Sequence, residues 1–180
     1  KERLGGERLT EFAGENFRMS EFTGAVLGAQ LPKLDSMVRA LRENAAAVRE
    51  GIRDLPGIKL RKRPDPEGDI GYAIFIELAD KSARDRCIQM LRERGVPAST
   101  LTGSVLLPIE ESIVNKRTRH PDWPSFNSPE GQAIQYGPDC CRQTLRVFDS
   151  FVQVRIGPKY TQSANDRIVD AIREVYPVVS

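Results

Sequence analysis

The chain of 180 residues carries 27 Lys and Arg against 25 Asp and Glu, a formal net charge of +2, and 39% of its residues are apolar. A length of this order supports one domain with a real core and room for an extended arm, while the near balance of charge gives no argument for nucleic acid. No apolar run is long enough for a membrane span or arranged as a secretory signal, so neither membrane nor nucleic acid is expected as a partner.

Residues 1–14 are polar and glycine-rich and read as an arm. Ser20 is a good N-cap, and Phe22, Val26, Leu27, Leu31 and Leu34 recur at three- and four-residue spacing, which predicts a helix over 22–35. Gly24, Ala25, Gly28 and Ala29 within it let another backbone approach closely, as in a buried, tightly packed helix. The pattern continues through Met37, Val38, Leu41, Ala45, Val48 and Ile52 until Pro56-Gly57 stops it. Pro32 either starts a second helix or puts a kink between two. Residues 58–63 alternate apolar and basic side chains. Such a run marks either a phosphate-binding face or the solvated side of an edge strand, and the edge strand is preferred because lysine there discourages aggregation.

A turn over 64–69 leads into a strand over 70–78, rich in apolar, β-branched and aromatic residues. Residues 80–94 read as an amphipathic helix with Cys87, Ile88 and Leu91 inward and Gly95 as its stop. Short strands are predicted over 96–101 and 105–109. From Glu110 to Gly137 charge, aromatics and prolines alternate without period, the mark of a long excursion of the kind that often carries function. His120 has no nucleophile beside it and reads as a loop residue rather than an acid or base, with Trp123 and Phe126 as local anchors. Residues 151–156 alternate as a strand, and Thr161 opens a last helix with Ile168, Ala171, Ile172 and Val175 on one face.

The three cysteines, Cys87, Cys140 and Cys141, do not make a secreted disulfide framework: their number is odd and the adjacent pair bridges only through a strained ring. All three read as reduced thiols, and a cytoplasmic location is expected. They lack metal-ligand spacing and His120 is the single histidine, so no metal site is expected. The element order suits the α/β class in its α+β-like form, a long N-terminal helix plus a small antiparallel or mixed sheet covered by helices. The expected division is 1–55, the arm and long connecting helix, and 56–180, a small α/β domain.

Asn16-Phe17-Arg18-Met19-Ser20-Glu21, then Gly24-Ala25, then Gln30-Leu31-Pro32-Lys33-Leu34-Asp35 closely resembles a signature of the DegT/DnrJ/StrS family of sugar aminotransferases. Gly24 replaces the usual first alanine and Pro32 fills a variable slot. A second stretch, with Cys141, Thr144, Phe151 to Ile156 and Pro158, is similar to another family segment, although Arg142 stands for the usual proline and Ser150 for the usual arginine. The resemblance is close over 14–55, partial over 141–176 and weak between them. It implies the small C-terminal domain of a fold-type-I aminotransferase. It further implies a homodimer that uses pyridoxal 5'-phosphate to move an amino group from an amino acid donor to a keto-sugar, cyclitol or related cyclic ketone.

That chemistry needs a lysine to form a Schiff base with the cofactor, an acid for the pyridine nitrogen and a pocket for the phosphate. In the family the lysine and the acid lie upstream of the signature. None of Lys1, Lys33, Lys59, Lys62, Lys81, Lys116 or Lys159 has the family's serine-rich context. The resemblance therefore implies a fragment, without a catalytic residue and inactive alone. The signature asparagine of the family reaches across the dimer to the cofactor phosphate, which implies a cofactor-binding role for Asn16, and for Arg18 as its neighbour at the interface or active site. An asparagine amide is a suitable donor to phosphate oxygens. The plainer alternative for Asn16 is a turn cap. For the chain as a whole it is a free-standing, non-catalytic α/β binding or dimerisation module.

Overall fold

The computed structural model describes residues 18–101, 106–118 and 124–180. Their helices are α1 (Glu21–Gln30), α2 (Leu34–Ile52), α3 (Lys81–Glu93), α4 (Glu111–Val114), α5 (Pro124–Asn127), α6 (Pro129–Ala133), α7 (Arg142–Ser150) and α8 (Gln162–Val179). The strands are β1 (Lys59–Leu60), β2 (Ala73–Glu77), β3 (Ala98–Ser99) and β4 (Phe151–Arg155). The described residues fall into two compact units: 19–101 with 146–180, and residue 18 with 106–118 and 124–145.

In the larger unit the strands lie in the order β1-β2-β4-β3 and every pairing is antiparallel, which decides between the antiparallel and mixed sheets expected. The last strand in the chain thus inserts between β2 and β3, a split arrangement in which α3 connects strands that are not neighbours. Cross-strand pairs Ile74 with Val154 and Ile76 with Val152 place four β-branched side chains on one face. That face and Leu78, Ala98 and Ile156 share one core with Ala45, Val48 and Ile52 of α2, Cys87 and Leu91 of α3, and Ile168, Ile172 and Val175 of α8. Each such fully buried aliphatic side chain contributes about 1.5–3 kcal/mol by leaving water.

Capping sets the helix starts as the sequence leads one to expect. Ser20 Oγ accepts the Thr23 N–H at 3.2 Å, Asp80 Oδ1 the Ala83 N–H at 2.8 Å, and Thr161 Oγ1 the Ala164 N–H at 3.3 Å. Pro32 sits in a single 3-10 turn, Leu31–Lys33, that tightens the backbone between α1 and α2. Polar ties join distant segments: Tyr176 Oη donates to the Gly57 carbonyl at 2.8 Å, and Asn44 links Asn165 to the Gly157 carbonyl.

Several expectations are corrected. No residue of α1 is buried within this chain, so its small and apolar residues do not make it a core helix here. The strands are shorter than predicted. Gly71, at φ +74, breaks the run over 70–78 before Ala73, and only Lys59–Leu60 and Ala98–Ser99 of the flanking runs join the sheet. The strand expected over 105–109 is, at Leu107–Ile109, a 3-10 turn, because Pro108 has no N–H to give a ladder. Helix α7 occupies a stretch in which no helix was predicted.

In the smaller unit the excursion holds the short helices α4, α5 and α6. Ser128 caps α6 through the Gly131 N–H at 3.0 Å, and the ring of Phe126 meets Tyr136 edge-on at 6.0 Å, in keeping with an anchoring role. Lys116, at φ +52, donates its ammonium to the Gln132 carbonyl at 2.7 Å.

Candidate functional site

Asn16, the principal cofactor-binding candidate, lies outside the described residues, as do Phe17, His120 and Trp123. Arg18 is described: it is exposed and stands two residues before the N-cap of α1. The local sequence explains the placement. Ser20 is extended, at φ −72 and ψ 152, so the chain changes from extended backbone to helix directly after Ser20, two residues beyond Arg18. Glu21 occupies the first turn, where the helix dipole favours a negative charge.

The helix that follows is apolar and uncovered. Met19, Phe22, Val26, Leu27, Leu31, Leu34 and Met37 are all exposed, Phe22 to 80%. A surface of this kind is suited to burial against another protein surface.

The described lysines do not supply the enclosed amine that pyridoxal phosphate requires. Lys33, Lys59, Lys62, Lys81 and Lys159 are exposed, and the half-buried Lys116 is occupied by a backbone carbonyl. The described residues therefore do not fit the cofactor as a complete site. No group of three metal-ligating side chains occurs among them either. Of the cysteines, Cys87 is buried and burial pushes its thiol up to about 11, which leaves it protonated and inert. Cys140 is exposed, with its thiol donating to the Gln135 carbonyl at 3.0 Å. At the two positions that depart from the second family segment, Arg142 pairs with Asp139 at 2.9 Å and Ser150 Oγ donates to the Val147 carbonyl at 3.3 Å.

A family model described as the DegT/DnrJ/EryC1/StrS aminotransferase family matches residues 2–112. Among solved structures the chain is similar to S. venezuelae DesV in complex with a ketimine intermediate, with a TM-score of 0.61 at 22% identity over 94% of this chain and 40% of that one. It is similar to Helicobacter pylori PseC, an aminotransferase involved in the biosynthesis of pseudoaminic acid, with a TM-score of 0.61 at 14% identity over 99% of this chain and 42% of that one. It is also similar to the sugar aminotransferase CalS13 from Micromonospora echinospora, with a TM-score of 0.56 at 20% identity over 89% of this chain and 37% of that one. These likenesses show a common fold, and the chain spans about two fifths of the length of these three structures.

Proposed function

Because the chain belongs to the DegT/DnrJ/EryC1/StrS aminotransferase family, we propose that it is the C-terminal part of a pyridoxal-phosphate-dependent aminotransferase. It moves an amino group from an amino acid donor to a keto-sugar or a related cyclic ketone, and works as a homodimer in the cytoplasm. The match over residues 2–112 carries this reading, and the share of the solved aminotransferases that the chain spans supports its being one part of the enzyme. Pyridoxal phosphate, when bound, supplies the electron sink for amino transfer. The role of this chain is to help hold it: the Asn16 amide donates to the cofactor phosphate, and the Arg18 guanidinium adds a positive charge beside it.

The test is made on the native gene product. Asn16→Ala removes one charge-assisted hydrogen bond, worth roughly 1.5–3 kcal/mol, so cofactor affinity falls by about ten- to a hundredfold while the fold and the dimer persist. Excess pyridoxal phosphate then restores much of the activity. Unchanged affinity in a well-folded dimer would leave Asn16 as a turn residue.

One observation favours the second reading, a free-standing binding or dimerisation module: the larger unit closes a core of its own. A native gene product that takes up no pyridoxal phosphate, and in which borohydride fixes the cofactor to no lysine, decides for the module.

A further inference from the structure

We draw no further inference here: the strongest candidate, the exposed apolar face of α1 formed by Phe22, Val26, Leu27 and Leu31, belongs to the surface already described, and nothing in the structure shows what covers it.

Discussion

At the scale of single residues, burial decides which polar groups matter. Arg84 is 4% exposed, and its guanidinium donates to the Phe148 carbonyl at 2.7 Å and to Asp85 at 2.7 and 2.9 Å. It thereby ties α3 to the end of α7, just where the chain enters β4. Arg84→Met keeps the stem's packing but leaves that carbonyl unpaired, so urea unfolding should show a loss of about 1–3 kcal/mol. Cys87 offers a second test. Below its ordinary pKa, near 9, the thiol carries its proton in both states, but between about 9 and 11 the unfolded state releases a proton that the folded state keeps. Stability is therefore full below pH 9 and falls as pH rises toward 11. Tyr176, raised by burial and by Cys87, acts in the same direction. Unfolding midpoints followed across that range should slope downward, and Cys87→Ala should flatten part of the slope. A maleimide probe at neutral pH should reach Cys140 in the folded chain and Cys87 only after denaturation.

At the scale of elements, α1 and α2 form an instructive pair. Both are strongly helical and both carry apolar residues at helical spacing, yet α2 buries Ala45, Val48 and Ile52 while α1 buries nothing. The exposed side chains of α1 suit a partner surface, so the isolated chain should self-associate in sedimentation experiments, and Phe22→Asp with Leu27→Asp should shift it toward monomer. A parent chain that sediments as a monomer at all concentrations would favour the free-standing module. The turn before β2 makes the opposite point. Gly71 combines φ +74 with close contact to α2. Gly71→Ala should cost more than about 1 kcal/mol, because both the backbone and the space resist a Cβ.

At the scale of the whole molecule, the chain is expected to bind its cofactor only as part of a larger assembly. Mixing it with pyridoxal phosphate and borohydride should label no single lysine stoichiometrically, and one lysine modified completely and selectively would contradict the proposed division of labour. The sequence by itself determined whatever rests on local chemistry. The caps Ser20, Asp80 and Thr161, the stops at Gly57 and Gly95, the periodicity of α2, α3 and α8, and the signature running from Asn16 to Asp35 all speak within a few residues of themselves. Only the tertiary structure decided which apolar faces find cover and how far each strand extends. Residues 73–77 gain their ladder from 151–155, far along the chain, whereas α7 was legible locally, its apolar and polar side chains segregating at helical spacing. The basic run over 58–63 was legible as an edge strand, but its two arginines acquire Arg49 and Asp69 as neighbours only when α2 and the turn before β2 fold together. Burial, pairing and charge clustering depend on residues distant in sequence, and a local pattern contains no term for them.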